Sequence, residues 1–241
     1  MTRGILIAGN ESSLFTAVAA EAVKRVESYA SALIPNRFPL QEEGNMPPLR
    51  AEAGGAIPLA WNQGSPISAR TLVLAAENRM EKINEAILIC LPPAVFRTTG
   101  TLTPEEIEIL VNDQIKGWFF LIRELILYFR RTAAGSLSFV APEIQSGDSL
   151  YKDGLVTGMK NSWNRNSQVD LVGPSAVASF RAFAEGILAS SANEPFGVTG
   201  FTGYEAGAEE DFAAWLFKAV DEGTQKNSGR WQKYSRRGFF K

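Results

Sequence analysis

Short apolar runs alternate along the chain with longer segments in which apolar residues recur every three or four positions. A short continuous apolar run is typical of a strand buried on both faces of a sheet, and the longer spacing is typical of an amphipathic helix. The short runs predict strands at 5–8, 29–34, 57–61, 86–91, 137–140, 196–201 and 229–234. The longer spacing predicts helices at 14–26, 66–82, 104–131, 174–190 and 209–222.

Strands and helices therefore alternate from one end of the chain to the other, without an internal repeat. This alternation predicts an α/β fold of three layers, a doubly wound parallel sheet with helices on both faces. No stretch has the composition of a linker between domains, so residues 1–241 are predicted to form a single domain. Two polar stretches interrupt the pattern, 41–55 as a loop or insert and 143–172 as an enlarged loop before the helix at 174–190.

The residue types that the chain lacks exclude several kinds of site. With no His and one Cys, the chain cannot form a Ser-His-Asp triad, a Cys-His protease pair, a His-ligated metal site or an intrachain disulfide, and no metal site is predicted. The net charge of -2 gives no general attraction to nucleic acid or to an anionic membrane. No signal peptide and no bilayer-spanning stretch is visible, so a cytoplasmic protein is predicted.

Five local segments add detail to the α/β pattern. They are the strand and glycine at 5–9, the segments 114–119 and 135–140, the helical stretch 179–188 and the glycine turn at 228–231. In order and spacing these segments resemble the short-chain dehydrogenase/reductase family, over nearly the whole chain. The resemblance implies a Rossmann-type NAD(P)-binding fold and an NAD(P)-dependent oxidoreductase of the ketone/alcohol type. In that family a Tyr gives or takes the proton, and a Lys four residues later lowers its pKa.

The positions that the resemblance assigns to catalysis hold other residue types. The family uses a Tyr, a Lys, a Ser and an Asn, and the matching positions here are Gly173, Val177, Pro142 and Gln114. Because neither Gly nor Val transfers a proton, the family's usual mechanism is not expected to run from these positions. Tyr151 and Lys152, in the predicted loop at 143–172, are the candidate substitutes; two solvated side chains are the alternative interpretation.

The turn that the resemblance assigns to the cofactor keeps only part of the family's glycine pattern. Gly9, Ser13 and Phe15 stand where the family has three glycines, which serve a tight turn and the close approach of a diphosphate. The implied cofactor is NADP or NAD, and the candidate binding residues are Gly9, Asn10, Ser12, Ser13, Arg37 and Asn62. Arg37 would meet a 2′-phosphate and Asn62 would meet adenine, whereas an exposed Arg and a turn-forming Asn are the alternatives.

The helix at 104–131 is predicted to be a partner surface. It is apolar nearly all round, and one face of a sheet does not cover such a helix. In the family this helix and the next one pair across a two-fold axis, so the resemblance implies a homodimer or tetramer through 104–131 and 174–190. A hetero-oligomer with an active paralogue is a second possibility, and a helix covered by the loop 143–172 of the same chain is a third.

Two hypotheses for the function follow from these residues. The first is a divergent short-chain dehydrogenase/reductase-like protein that lacks the family's redox catalysis and acts as a binding or structural subunit. The second is an NAD(P)-dependent oxidoreductase with a relocated catalytic acid, for which Tyr151 is the best candidate. The predicted fold suits both hypotheses, and the residue types at the catalytic positions favour the first.

Overall fold

The computed structural model describes residues 3–25, 29–34, 56–92, 101–143, 172–222 and 228–235. The described residues contain seven strands: β1 (Ile5–Asn10), β2 (Tyr29–Ile34), β3 (Ala56–Pro58), β4 (Glu85–Ile89), β5 (Ser136–Val140), β6 (Gly197–Thr202) and β7 (Arg230–Lys233). They also contain six α-helices: α1 (Ser13–Val23), α2 (Pro66–Met80), α3 (Pro104–Val111), α4 (Gly117–Thr132), α5 (Val172–Ser190) and α6 (Glu209–Asp221).

All seven strands are parallel and form one sheet in the order β3-β2-β1-β4-β5-β6-β7. The chain reverses its direction of progress across the sheet between β1 and β4, where Gly9 lies opposite Leu33 on one side and Ile89 on the other. In sheets of this kind ligands bind outside the carboxyl ends of the strands at that reversal. The carboxyl ends of β1 and β4 are therefore the first place to look for a site.

Helices cover both faces of the sheet. On one face, α1 and α6 pack on β1, β4 and β6 around apolar residues such as Leu14, Val18 and Phe212. On the other face, α2, α4 and α5 pack around Leu72, Trp118 and Phe180. The predicted three-layer α/β architecture is confirmed. In the segments that the structure describes, none of the helices combines the length and the apolar character needed to cross a membrane.

Local capping explains where the helices begin. Ser65 caps α2 by accepting a hydrogen bond from the Ser68 N–H, with Pro66 as its first residue. Thr103 and Glu106 form a reciprocal capping box at the start of α3. Both starts were predicted from the sequence. The predicted bounds differ mainly at the ends: the first helix stops at Val23 rather than 26, and the strand predicted at 57–61 is only Ala56–Pro58.

The helix predicted at 104–131 is not a continuous α-helix. A π-helical turn, Asn112–Lys116, separates α3 from α4 and inserts one wider turn into the helical path. Such turns are uncommon and occur frequently at functional sites. The predicted insert at 41–55 lies outside the described residues, as does 144–171, which is nearly all of the predicted loop at 143–172.

The chain itself covers more of this helix than its composition suggested. Seven residues of α4 are buried, and Trp118 packs edge-on against Trp61 and Phe180. Within α4 only Phe119, at 39%, and Leu127, at 45%, are large apolar side chains with more than a third of their surface exposed. Helices α2 and α5 flank α4 and cover apolar side chains that the sheet face alone does not reach. The predicted partner surface on this helix stays a prediction.

Candidate functional site

Asn10 is the last residue of β1 and stands at the carboxyl edge of the sheet, with 1% of its surface exposed. Its Oδ1 accepts a hydrogen bond of 2.9 Å from the Leu91 N–H, just after β4. Its Nδ2 donates to Oε1 of Gln114 at 2.7 Å. One side chain thus joins the ends of β1 and β4 to the π-helical turn at the point where the sheet reverses.

Gln114 lies inside the π-helical turn and is buried. The fold therefore brings together two residues that the sequence assigned to different roles: Asn10 to the cofactor and Gln114 to the position of the catalytic Asn. Each side chain satisfies part of the other's hydrogen-bonding capacity, which a buried amide requires. In this arrangement the pair stabilises the edge of the sheet, and the Gln114 carbonyl oxygen is already engaged by the Asn10 amide.

The turn between β1 and α1 is closed by its own residues. Ser12 is the N-cap of α1: its Oγ accepts a hydrogen bond of 3.1 Å from the Phe15 N–H. The Phe15 ring is buried and lies against Gly9. A Cβ atom on Gly9 would stand 2.8 Å from both Cβ and O of Ile89 and 3.1 Å from the Phe15 ring. Close packing of the chain on itself therefore accounts for this glycine.

Ser13, the first residue of α1, is bonded to a residue from the far end of the chain. Its hydroxyl donates to Oε1 of Glu209 at 3.0 Å, and the Tyr204 hydroxyl donates to the same oxygen at 3.0 Å. Glu209 is the first residue of α6. Hydrogen bonds from its own backbone N–H, from the Gly207 N–H and from the Tyr204 and Ser13 hydroxyls hold the pKa of Glu209 below its usual range. The group is therefore a carboxylate at neutral pH.

Helix α5 presents no acid or base at the two positions that the sequence comparison singled out. Gly173 is buried in the first turn, and the Val177 side chain is fully buried in the core one turn later. After another turn, Arg181 donates from Nη1 to the Pro142 carbonyl oxygen at 2.9 Å and to Oγ1 of Thr202 at 3.3 Å. Pro142, at the position of the family's Ser, is thus held through its carbonyl group.

Arg181 was not singled out by the sequence reasoning. Its guanidinium lies 4.0 Å from the centre of the Trp231 ring, and burial lowers its pKa from the ordinary value. An arginine remains a cation at any physiological pH and does not act as a proton donor. It connects α5 with the carboxyl ends of β5 and β6 and with β7. No sequence pattern marked it, because its partners lie 39 and 21 residues away.

Asn62 has the geometry of a turn residue. Its Oδ1 accepts a hydrogen bond of 3.1 Å from the Gly64 N–H, and its own N–H donates to the Ser68 hydroxyl at 2.8 Å. The next residue, Gln63, is fully buried, and its side-chain Oε1 and Nε2 have no hydrogen-bond partner in the described part of the chain. A Cβ on Gly117 would lie 2.5 Å from the Cβ of Gln63, so Gly117 makes room for this side chain.

Three of the predicted site residues lie outside the described ranges. They are Arg37, the candidate for a 2′-phosphate, and the candidate substitute pair Tyr151 and Lys152. Their predicted roles stay predictions. In the six segments that are described, no three acidic or thiol side chains lie close enough together to hold a metal ion.

Several solved structures have a similar fold, and the similarity covers nearly the whole chain. A short chain dehydrogenase from Mycobacterium smegmatis has a TM-score of 0.68 and 12% identity, over 98% of this chain and 94% of its own. The fold is that of the short-chain dehydrogenases/reductases. An NADH-dependent reductase solved with NAD has a TM-score of 0.67 and 12% identity, over 97% of this chain and 95% of its own.

A metagenomic short-chain oxidoreductase solved with NADP also has the short-chain dehydrogenase/reductase fold. Its TM-score is 0.67 with 9% identity, over 97% of this chain and 98% of its own. No protein-family sequence model matches the chain, and no curated protein is significantly similar to it in sequence. At these identities the likeness shows the fold alone, so any activity has to be argued from this chain's own residues.

The fold implies a dinucleotide in the β1–α1 turn, but the described residues do not fit one. Dinucleotide-binding turns use glycines so that backbone can approach the diphosphate, which lies at the positive end of the first helix. Here the Phe15 ring packs on Gly9, and the Glu209 carboxylate lies on the first residue of α1. Glu11 adds a second, exposed negative charge to the same turn. The turn therefore opposes a diphosphate both sterically and electrostatically.

Proposed function

We propose that this protein is a divergent short-chain dehydrogenase/reductase-like protein that lacks the family's redox catalysis and acts as a binding or structural subunit. The observation that carries the proposal is on α5, where the Val177 side chain is fully buried in the apolar core. A lysine at that position would carry the charge that lowers the pKa of a catalytic phenol. The core around Val177 has no place for such a charge without a large desolvation cost.

The other positions support the same proposal. Gly173 has no side chain, Pro142 has no hydroxyl, and Gln114 is engaged with Asn10. Proton transfer by a positioned side chain needs a group whose pKa lies near the working pH. The described residues at these four positions include no titratable side chain. Arg181, the nearest charged group on α5, stays a cation and is engaged with the Pro142 carbonyl oxygen.

The alternative is an NAD(P)-dependent oxidoreductase with a relocated acid. Its support is the shared fold, because the similar structures include one solved with NAD and one solved with NADP. Tyr151, the candidate acid, precedes α5 in the sequence and is followed directly by Lys152. This alternative requires that the closed β1–α1 turn open to receive the cofactor.

Titration with NADH and NADPH separates the two hypotheses. We expect no saturable change in nucleotide fluorescence and no rise in melting temperature with either compound, because the packing of Phe15 on Gly9 and the negative charge of Glu209 oppose a diphosphate at the turn. Saturable binding below about 100 μM, with a melting temperature that rises as the free nucleotide exceeds its Kd, would contradict the structural-subunit proposal. An assay of hydride transfer with a panel of ketones and alcohols completes the comparison, and turnover lost in Tyr151→Phe would establish the alternative.

We also propose that the subunit pairs with a second copy through the helices at 104–131 and 174–190. The outward face of α5 carries small side chains, and short side chains at a contact let two helices approach closely. The exposed residues of this kind are Ala178, Ala182, Gly186 and Ala189. Beside them the exposed ring of Phe119 on α4 lies 4.2 Å, centre to centre, from that of Phe183.

The oligomer can be tested without disturbing the fold of one chain. A Cβ on Gly186 would meet no neighbouring side chain or element within 4 Å, so Gly186→Trp is expected to leave the fold of the single chain intact. Light scattering during gel filtration should give a dimer mass or larger for the wild type and a lower mass for Gly186→Trp. Ala20→Trp, on the exposed face of α1, is the matched control and should keep the wild-type mass. Equal masses for all three proteins would contradict the proposed interface.

A further inference from the structure

The first turn of α1 already holds an anion that the chain supplies. The Glu209 carboxylate accepts hydrogen bonds from Ser13 on α1 and from Tyr204 after β6, both at 3.0 Å and both to the same oxygen. Glu209 is also the first residue of its own helix, α6. The positive ends of two helices therefore face one carboxylate, and each of them favours a negative charge.

The stabilisation of Glu209 does not come from a basic side chain. Across the described segments no Lys or Arg lies within ion-pair distance of Glu209, in contrast to the other carboxylates on α1 and α6 that do form ion pairs. Its partners are two hydroxyl groups and backbone N–H groups. These are the same kinds of donor that hold a phosphate at the start of a helix.

We infer that Glu209 is a built-in substitute for a phosphate group: it occupies the phosphate-accepting end of α1 and excludes a dinucleotide from the β1–α1 turn. The inference rests on the proposed function, since it explains why the fold would not hold its usual cofactor. The exclusion of the dinucleotide then has two sources. One is the charge of Glu209, which lies 196 residues from Ser13 in the sequence, and the other is the packing of Phe15 on Gly9. Removing that charge should let the same donors accept an external anion.

The experiment measures binding of inorganic pyrophosphate by calorimetry and by thermal shift. The variants are Glu209→Gln, which removes the charge, and Glu209→Ala, which removes both charge and side chain. Glu210→Gln is the matched control, because Glu210 is an exposed carboxylate in the same first turn of α6. We expect Glu209→Gln and Glu209→Ala to bind pyrophosphate at least about tenfold more tightly than the wild type, a difference of about 1.4 kcal/mol. The melting temperature of these two variants should rise on addition of pyrophosphate.

Glu210→Gln and the wild type should both bind pyrophosphate weakly and with similar affinity. Pyrophosphate affinities for Glu209→Gln and Glu209→Ala that equal those of the wild type or of Glu210→Gln would overturn the inference. The two proposals fail in different ways. Saturable NADH binding by the wild type decides against the proposed function, whereas the ratio of pyrophosphate affinities between variant and wild type decides on Glu209. Far-ultraviolet circular dichroism of each variant confirms that the helices are intact before the affinities are compared.

Discussion

The helices α1 and α6 lie side by side and are joined at both ends, but by different chemistry. At the amino-terminal edge of the sheet, Nε of Arg25 donates to Asp221 at 3.1 Å. At the carboxyl edge, the Ser13 hydroxyl donates to Glu209 at 3.0 Å. One contact is an ion pair and the other is a carboxylate held by hydroxyl and backbone groups.

The helix dipole explains this difference. Asp221 is the last residue of α6, where a negative charge is unfavourable, and it is compensated by two cations, Arg3 at 2.7 Å and Arg25 at 3.1 Å. Glu209 is the first residue of α6, where the helix end itself stabilises the charge. At the amino edge the charges are therefore neutralised by ion pairs between side chains. Ligands bind at the carboxyl edge in such folds. At that edge the groups that could hold an anion already donate hydrogen bonds to Glu209.

The largest loss of stability is expected from a substitution at the amino edge. Arg3 pairs with both Glu85 and Asp221, and Glu85 is buried. Because Arg3→Ala leaves the Glu85 carboxylate unpaired, we expect a loss of about 2 to 3 kcal/mol in the free energy of unfolding at pH 7, less than a fully buried pair would lose. Urea denaturation measures this loss. The control Arg131→Ala removes an exposed pair with Glu77 and should lose at most about 1 kcal/mol.

The effect of Arg3→Ala should depend on pH. Burial, the largest influence on Glu85, raises its pKa above the ordinary value, and Arg3 opposes that shift. A carboxyl group with a raised pKa in the folded state favours folding below its unfolded pKa and loses that contribution as the pH rises. The variant should therefore lose less stability at pH 5 than at pH 7. A loss that is the same at both pH values would contradict the assignment to an unpaired Glu85.

The second effect is expected at the carboxyl edge, at the pair that joins β1 to the π-helical turn. Asn10→Ala removes the partner of the buried Gln114 side-chain oxygen and of the half-buried Leu91 N–H. A buried polar group without a partner costs about 1 to 3 kcal/mol, so we expect a loss of about 2 kcal/mol in unfolding free energy. Asn62→Ala, in a turn with exposed hydrogen bonds, should lose less. Equal losses would mean that the buried pair does not hold this edge together.

A smaller effect is expected when the pairing of Asp221 is removed. Its side chain is 37% exposed, so solvent weakens its attraction to Arg3 and Arg25. Asp221→Asn should lower the unfolding free energy by about 1 kcal/mol, and high salt should reduce the difference from the wild type. Glu222→Gln, which removes an exposed contact with Lys218 on the same helix, is the control and should have a smaller effect.

The smallest effect on stability is expected at Glu209. Glu209→Gln keeps an acceptor for Ser13 and Tyr204 but removes the charge from the helix ends, so we expect a loss below about 1 kcal/mol at pH 7. The pKa of Glu209 is lowered in the folded state, and such a group stabilises the fold above its unfolded pKa and loses that contribution as the pH falls. The difference between wild type and variant should therefore shrink as the pH falls below the unfolded pKa of about 4.3, and vanish once Glu209 is protonated in the folded state as well. A difference that persists there would mean that the charge is not its source.

Local sequence signals predicted most of the fold. The apolar runs predicted the strands of the sheet, and the helical spacing placed the starts of two helices correctly, at Pro66 and Pro104. These features depend on residues within a few positions of one another. The π-helical turn had no such signal, because neither apolar spacing nor a Gly or Pro marks Asn112–Lys116.

The candidate site was predicted less well, for a physical reason. Asn10 and Gln114 were both singled out, but their contact joins residues 104 positions apart. The last helix was predicted to begin at 209, as it does, yet the hydrogen bond between Glu209 and Ser13 depends on how α1 and α6 pack. Spacing along the chain carries no information about such contacts. The sequence therefore indicated which residue types stand at the family's catalytic positions, and the packing showed which side chains lie at the β1–α1 turn.

Hydrogen–deuterium exchange of the β1–α1 segment tests the central claim most directly. The claim is that the chain itself closes this turn, through Phe15 and Glu209, so that no dinucleotide binds there. Exchange of residues 5–20 is measured with and without NADH and NADPH at millimolar concentration. We expect identical exchange in all three samples. Slower exchange of this segment with either nucleotide would contradict the claim, because it would place the nucleotide at the turn.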